Sequence, residues 1–232
     1  MTTTSGLQVQ TAYRVAPPLD QIFARDSADA QAFRSLATEL LVRHVDKGRR
    51  GLAVCGAASG AGVSFLAVGL ALSLSQIGVD TLLVDANLRA PALDQLIVHD
   101  GAAGPGLLQH LQEAGPTIED ILHQHVMPDL SLIYAGGQST HPQELFDTER
   151  FREVIGASMR RHQLLIVDTP PFSRCAEARR IAAVTGYAVV VGRAGASYAK
   201  DIDTLCADLA ADRVELVGSI LNGVSKQLKV RR

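Results

Sequence analysis

Short apolar runs alternate with longer one-sided segments along most of the chain. Six largely apolar runs are typical of buried strands, at residues 52–55, 81–84, 130–133, 164–167, 187–191 and 216–221. Several of them are apolar at nearly every position, instead of alternating apolar and polar residues. We therefore expect both faces of the resulting sheet to be covered by other elements.

The segments between these runs show helical periodicity. From residue 31 onward, apolar side chains recur at spacings of three and four residues, which predicts an amphipathic helix. Its stripe consists of Phe33, Leu36, Ala37, Leu40 and Leu41. Residues 64–77 are apolar nearly all round, which predicts a central helix, and 198–209 form a second one-sided helix. The stripe of that helix consists of Ile202, Leu205, Cys206 and Leu209.

Alternation of strands and helices predicts a parallel sheet with right-handed crossovers, and hence a three-layer α/β/α domain. The length of 232 residues suits one large domain of this kind. Residues 1–28 are polar, contain Pro17-Pro18 and show no sustained period, so we expect a loosely held N-terminal arm. The main domain is predicted to span residues 29–225, followed by a short basic tail at 226–232.

Charge and cysteine content narrow the class of protein. With 22 basic and 24 acidic residues and no basic block, the chain has no electrostatic footprint for nucleic acid. The cysteines Cys55, Cys175 and Cys206 are odd in number and widely spaced, which excludes a disulfide framework and favours a reducing compartment. No export or membrane-spanning segment is recognisable. We therefore expect a cytoplasmic protein that reaches a membrane only through a partner.

A glycine-rich loop at residues 55–64 joins the first buried run to the central helix, which is the context of a phosphate-binding loop. Gly60 and Gly62 allow backbone amides to turn inward, and the helix that follows offers its N-terminal donors to an anion. Ser64 stands at the position of the hydroxyl that binds Mg²⁺ in such loops. The predicted phosphate contacts are Gly60, Ala61, Gly62, Val63, Ser64 and Phe65.

The loop departs from the pattern G-x-x-x-x-G-K-[ST] at two positions, where Ala57 replaces the first glycine and Val63 replaces the lysine. The lysine neutralises phosphate charge, and a valine supplies neither charge nor donor. Loss of one such contact typically costs about 3 kcal/mol at the transition state. We expect backbone anion binding to survive and fast phosphoryl transfer to be lost. A glycine turn that serves only close packing of strand and helix is the open alternative.

Two further strand ends carry carboxylates. Asp85 ends the run at 81–84 and Asp168 ends the run at 164–167. Because ligands of open α/β sheets bind outside the carboxyl ends of the strands, these aspartates and Ser64 could converge on one Mg²⁺. The alternative for each single aspartate is ordinary turn chemistry or a helix N-cap.

From about Phe33 to Val224 the chain resembles the cytoplasmic domain of bacterial tyrosine kinases (BY-kinases) of exopolysaccharide and capsule synthesis, in the MinD/ParA-like branch of P-loop proteins. Residues 59–64 resemble the P-G-E-G-K-S loop of that family, 85–91 its D-x-D-L-R-x-P motif and 168–171 its D-T-P-P motif. Further similar elements are Gly106-Leu107, Gly136-Gly137, Pro142 with Glu144-Leu145, and Leu221-Asn222.

This resemblance implies a P-loop NTPase-like fold with a mostly parallel sheet, and ATP or ADP with Mg²⁺ as cofactors. It implies that Asp85 is the catalytic base, that Asn222 contacts the nucleotide, and that Ser64, Asp85 and Asp168 form the metal site. It also implies a membrane co-polymerase, or chain-length determinant, as partner, at the cytoplasmic side of the inner membrane. A homo-oligomer is left open.

Departures from the family motifs point to weakened catalysis. Besides Val63, Asn87 replaces the second carboxylate of D-x-D, and an amide cannot act as a base. Of the assembly motif E-x-x-R-x-x-R only Arg34 remains, and the segment 223–232 lacks the family's tyrosines. The hypothesis is a pseudokinase, or a weak nucleotide binder, that acts as a binding partner in polysaccharide synthesis. The alternatives are an active tyrosine autokinase and a ParA/MinD-type positioning ATPase.

Two groups of polar residues are assigned no site. The histidines are predicted to be solvated loop residues and not metal ligands: His110, His123, His125 and His141. Three basic residues precede the first buried run and are expected at the opposite end of that strand from the glycine loop: Lys47, Arg49 and Arg50.

Overall fold

The computed structural model describes residues 2–4, 7–25, 27–101, 104–174 and 176–224. Its strands are β1 (Thr2–Thr4), β2 (Leu7–Val9), β3 (Tyr13–Val15), β4 (Gly51–Gly56), β5 (Thr81–Asp85), β6 (Ile97–His99), β7 (Leu122–Met127), β8 (Leu130–Ile133), β9 (Leu164–Asp168), β10 (Tyr187–Arg193) and β11 (Glu215–Asn222). Its α-helices are α1 (Leu19–Ala24), α2 (Ala28–Arg43), α3 (Val63–Gln76), α4 (Leu93–Leu96), α5 (Leu107–His110), α6 (Ile118–Ile121), α7 (Pro142–Phe146), α8 (Glu149–Arg161), α9 (Glu177–Thr185) and α10 (Ala199–Ala211).

Seven strands form the central sheet in the order β11-β10-β4-β9-β5-β8-β7. Every neighbouring pair is parallel except β7 with β8. The expected three-layer, P-loop NTPase-like α/β fold is confirmed. In this order β9, which ends with Asp168, lies between β4 and β5. β4 leads into the glycine loop and β5 ends with Asp85, so all three features lie on neighbouring strands.

Consecutive residues of the central strands feed two different cores, as expected for a sheet covered on both faces. Leu52 and Val54 of β4 pack in the core beneath α2 and α3. Ala53 and Cys55 pack on the other face, against α9 and α10. β11 differs from the expectation of two covered faces, because at the edge of the sheet Leu221 is 60% exposed.

The predicted amphipathic helix is α2, and it begins at Ala28 because the Ser27 hydroxyl accepts the amide of Ala30 at 3.0 Å. Phe33 lies against Gly69 of α3, where a Cβ atom would come within 2.2 Å of its ring. This close approach is open only to glycine. α3 is buried along most of its length, as its all-round apolar pattern predicted. Within the described part of the chain, no helix is both long and apolar enough to span a membrane.

The N-terminal residues differ from the expectation of a loosely held arm. β3 pairs antiparallel with β6, with Tyr13 opposite His99. Leu7, Leu19 and Phe23 join the core beneath α2 and α3. These few apolar anchors are irregularly spaced, so no period reveals them. The predicted domain limits at residues 29 and 225 stay predictions, and the basic tail at 226–232 lies outside the described residues.

Candidate functional site

The glycine loop between β4 and α3 has the backbone geometry of an anion cradle. Gly60 and Gly62 adopt φ angles of +77° and +88°, which side chains disfavour. No side chain caps the N-terminus of α3, so first-turn amides, including those of Val63, Ser64 and Phe65, can donate to an anion. All the predicted phosphate contacts, Gly60 to Phe65, therefore lie in a loop and a first helical turn whose amides can bind an anion.

Val63 turns the position of the missing lysine into a core position. Its side chain is 9% exposed and belongs to the core beneath α2 and α3. A Cβ atom on Gly56 would lie 2.5 Å from Val63 Cγ2, so the valine packs tightly on the end of β4. The packing alternative thus describes the Val63 side chain, while the backbone keeps its anion-binding geometry.

Asp85 and Asp168 lie side by side, because they are register partners at the ends of β5 and β9. Asp168 is fully buried, and among the described residues no group lies in hydrogen-bonding geometry to either oxygen of its carboxylate. Burial raises the pKa of Asp168 well above its usual range, and the nearby Asp85 charge raises it further. The Ser64 hydroxyl and the Thr169 amide act in the opposite direction.

An unpartnered buried carboxylate beside a hydroxyl suits a hard cation, since Mg²⁺ prefers oxygen ligands. In the described chain, no cluster of three or more His, Cys, Asp or Glu side chains could hold a metal alone. Mg²⁺ in nucleotide sites takes most of its ligands from water and phosphate, so two protein oxygens suffice. Ser64 and Asp168 therefore fit a magnesium nucleotide. When bound, the metal would neutralise phosphate charge.

Asp85 has a structural task that limits its predicted catalytic and metal roles. Its Oδ1 accepts the amide of Asn87 at 3.0 Å, and its Oδ2 accepts the amides of Ala92 and Leu93, each at 3.1 Å. Burial raises the pKa of Asp85 to about 6, against the lowering effect of these three amides. The alternative of turn and cap chemistry, left open from the sequence, is what the geometry of Asp85 shows.

Asn87 is likewise engaged with its own segment. Its Nδ2 donates to the Ala90 carbonyl at 2.9 Å, and its Oδ1 accepts the Ala90 amide at 3.2 Å. Arg89 ties the same segment to α9, through a 2.7 Å ion pair with the fully buried Glu177. Residues 85–93 thus form a clamped segment, held by its own polar groups and by α9.

We expect the variant Asp85→Ala to lower the free energy of unfolding by about 2 kcal/mol, even without nucleotide, because three amides lose their acceptor. Chemical denaturation followed by circular dichroism measures this. Asp85→Asn keeps one acceptor oxygen and is expected to lose less. Equal stability of Asp85→Ala and the wild type would contradict the structural task of this side chain.

The ends of β10 and β11 reach the loop from its other side. Asn222 Nδ2 donates to the Ala61 carbonyl at 3.0 Å, and a Cβ atom on Gly62 would lie 2.2 Å from it. Arg193, the register partner of Asn222, donates from Nη1 to the Gly60 carbonyl at 3.0 Å. Asn222 was predicted at the site through the family resemblance. Arg193 was missed, and its one sequence signal is its place just after a buried run.

The D-T-P-P motif braces the loop. The Thr169 hydroxyl donates to the Val54 carbonyl at 2.8 Å, which ties β9 to β4. The Ser173 amide donates to the Ala57 carbonyl at 3.1 Å. The loop is therefore held at its base by the segment that follows Asp168.

A cavity of about 440 Å³ opens beside Asp85, with His99, Gly101, Gly104 and Pro105 on one side and residues 134–138 on the other. Its wall includes His123, whose Nδ1 is 2.8 Å from the Tyr13 hydroxyl. Burial lowers the pKa of His123. His123 is half-buried, whereas His110 is buried, with Nδ1 2.8 Å from the Pro116 carbonyl. The expectation of solvated loop histidines is therefore wrong for these two, because both pack under neighbouring segments; His125 and His141 are exposed.

The basic residues before β4 lie at the opposite edge of the sheet, as predicted. Arg49 pairs with Glu215 at 2.7 Å and stacks over Tyr187, with 5.1 Å from its guanidinium carbon to the ring centroid. Both partners are the first residues of their strands. These cations are therefore remote from the glycine loop.

Comparison with known proteins finds relatives that are named as tyrosine-protein kinases. No family model matches the chain. EpsB of Ralstonia solanacearum, a tyrosine-protein kinase by name, is 31% identical over 199 residues, which cover 86% of this chain and 26% of EpsB. The tyrosine-protein kinase etk of Escherichia coli K12 is 27% identical over 202 residues, which cover 87% of this chain and 27% of etk. The chain thus spans about a quarter of the length of these relatives.

Solved structures agree. The BceF tyrosine kinase domain is 28% identical, with a TM-score of 0.75 over 84% of this chain and 78% of BceF. The chain therefore fits a BY-kinase domain in sequence and in fold. The ETK kinase domain of Escherichia coli, 25% identical, superposes with a TM-score of 0.80 over 89% of this chain and 80% of ETK. MinD of Pyrococcus horikoshii with Mg-ADP, 18% identical, has a TM-score of 0.63 over 76% of this chain and 72% of MinD. The MinD match shows that the chain shares the MinD fold.

Proposed function

We propose that this BY-kinase domain is a component of exopolysaccharide or capsule synthesis that binds a magnesium nucleotide weakly and has lost, or nearly lost, phosphoryl transfer. The observation that carries the proposal is Val63, whose apolar side chain lies in the core where the phosphate lysine is expected. The polysaccharide setting rests on the resemblance to the BY-kinase family.

The acidic residues support the loss of transfer. A general base needs a free lone pair within reach of the acceptor proton. Asp85 uses three of the about four lone pairs of its carboxylate to hold backbone amides, and Asn87 uses both ends of its amide on Ala90. Asp168 keeps unpartnered oxygens for a metal, so the residues favour binding over proton abstraction.

A protein of this kind acts through occupancy. A nucleotide that binds only the native state stabilises it and biases the conformations that a partner meets. We propose a membrane co-polymerase, or chain-length determinant, as that partner, at the cytoplasmic side of the inner membrane. This partner follows from the family resemblance, and a pull-down with candidate co-polymerase cytoplasmic segments, with and without MgADP, examines it.

Incubation of the 232-residue chain with radiolabelled MgATP tests the central proposal. We expect no phosphotyrosine above background and ATP turnover at least a hundredfold below that of an intact P-loop enzyme, since about 3 kcal/mol of transition-state stabilisation is missing. Asp168→Asn is the matched inactive control, because Asp85→Ala is expected to damage the fold. Turnover comparable to an intact enzyme, and lost in Asp168→Asn, would overturn the proposal.

A further inference from the structure

Arg193 brings a positive charge to the loop that lost its lysine. The residue ends β10 at the same sheet edge as Asp85 and Asp168, and its Nη1 lies 3.0 Å from the Gly60 carbonyl. The loop therefore has a cation on it, although the cation comes from a distant part of the sequence.

Contacts with Ser197 and Gly223 fix the position of Arg193. Its amide donates to the Ser197 hydroxyl at 2.9 Å, and its carbonyl accepts the Ser197 amide at 2.9 Å. Its stem lies along Gly223, where a Cβ atom would come within 3.5 Å of Arg193 Cγ. Gly223 has a φ angle of +72°, so the turn after β11 is shaped for glycine and leaves room for the arginine.

The charge of Arg193 is not compensated within the described residues. No carboxylate there forms an ion pair with it, and its described side-chain hydrogen bond goes to a neutral carbonyl. Other arginines are neutralised, such as Arg89 by Glu177 and Arg179 by Asp212. A guanidinium carries five N–H donors and binds phosphate in a forked geometry, so most of its capacity remains for an anion.

We infer that Arg193 takes over part of the phosphate neutralisation in binding from the missing lysine, so that the loop binds the phosphates of a nucleoside diphosphate or triphosphate despite Val63. This inference rests on the proposed function and deepens it, because it separates nucleotide binding from phosphoryl transfer. A guanidinium at the loop supplies charge and donors for binding. The clamped segment at 85–93 still withholds a base.

Calorimetric titration of the full chain with ADP and Mg²⁺ tests the inference in Arg193→Met, Arg193→Lys and the wild type. We expect Arg193→Met to weaken ADP binding at least tenfold, and Arg193→Lys to recover part of the loss. Arg152→Met is the matched control, because Arg152 is an exposed arginine of α8, paired with Glu149 in its own helix. We expect this control to bind ADP as the wild type does.

Adenosine separates a phosphate role from a structural one, since it lacks phosphates. The inference requires Arg193→Met to leave adenosine binding unchanged while it weakens ADP and, more strongly, ATP. Equal losses for adenosine and ADP, equal ADP affinity in Arg193→Met and wild type, or no measurable ADP binding by the wild type would each overturn it. The first two outcomes leave the proposed function intact, and the third also removes its nucleotide-binding part. The loss of phosphoryl transfer is tested separately, by the radiolabelling experiment.

Discussion

Replacing Val63 with lysine is expected to raise the affinity for MgATP at least tenfold, because a hydrogen bond to a charged group contributes about 1.5 to 3 kcal/mol. The backbone around it is already in place, with Gly60 and Gly62 in left-handed conformations and α3 uncapped. The lysine stem would occupy the volume of the valine, and its ammonium would extend toward the loop. Calorimetric titration measures the gain.

Val63→Met is the control for this variant, because methionine has a long side chain but no charge. An equal gain in Val63→Met, or no gain in Val63→Lys, would show that charge at this position does not limit binding. Tyrosine phosphorylation is expected to stay absent in Val63→Lys, since Asp85 and Asn87 remain clamped. Strong autophosphorylation of Val63→Lys would show that the clamped segment does not block transfer.

Asp168→Asn is expected to stabilise the nucleotide-free protein at pH 8 by about 2 kcal/mol, because a buried charged group without a partner carries a penalty of that order. For a chain of this size, that free energy corresponds to a rise in Tm of about 4 to 8 °C. Thermal unfolding followed by circular dichroism measures the shift. Asp203→Asn, at an exposed carboxylate of α10, is the control and is expected to leave Tm nearly unchanged.

The pH dependence has a definite sign. Burial raises the pKa of Asp168 well above its usual range and that of Asp85 to about 6, so the folded chain holds protons that the unfolded chain has released. The contribution of these groups to stability is full below their unfolded pKa, near 4, and is lost as pH rises through the folded pKa. Asp168→Asn should remove part of this decline. A decline that is identical in the wild type and Asp168→Asn would contradict the assignment.

MgADP should reverse the order of the Tm values of the wild type and Asp168→Asn. MgADP is expected to raise the Tm of the wild type and to leave that of Asp168→Asn nearly unchanged, because the amide no longer supplies a charged oxygen to the metal. An equal rise in both proteins would exclude Asp168 from the metal site.

Six strands of the central sheet could be predicted because they are apolar at nearly consecutive positions. The seventh, β7, was missed, because Gln124 and His125 in its middle are polar and exposed. β1, β2, β3 and β6 could not be predicted, because each has three residues and pairs with a strand chosen by tertiary structure. Tyr13, for example, lies opposite His99, 86 positions further along the chain. Local periodicity carries no information about such pairs.

The candidate site was predictable as far as one sheet edge. Asp85 and Asp168 meet because parallel strands share their carboxyl ends, and the sequence placed both at such ends. The occupation of Asp85 by three amides could not be predicted, since it depends on the path of residues 87–93. Arg193 carries no motif, and its contact with Gly60 spans 133 residues of sequence.

Because Asp85 accepts three backbone amides, its structural role and any chemical role exclude each other in part. Any cation or proton donor that binds this carboxylate competes for lone pairs that now hold residues 87–93 in place. If Asp85 took part in catalysis or metal binding, the segment at residues 87–93 would therefore become less ordered. The same two oxygen atoms are needed for the order of this segment and for its reactivity.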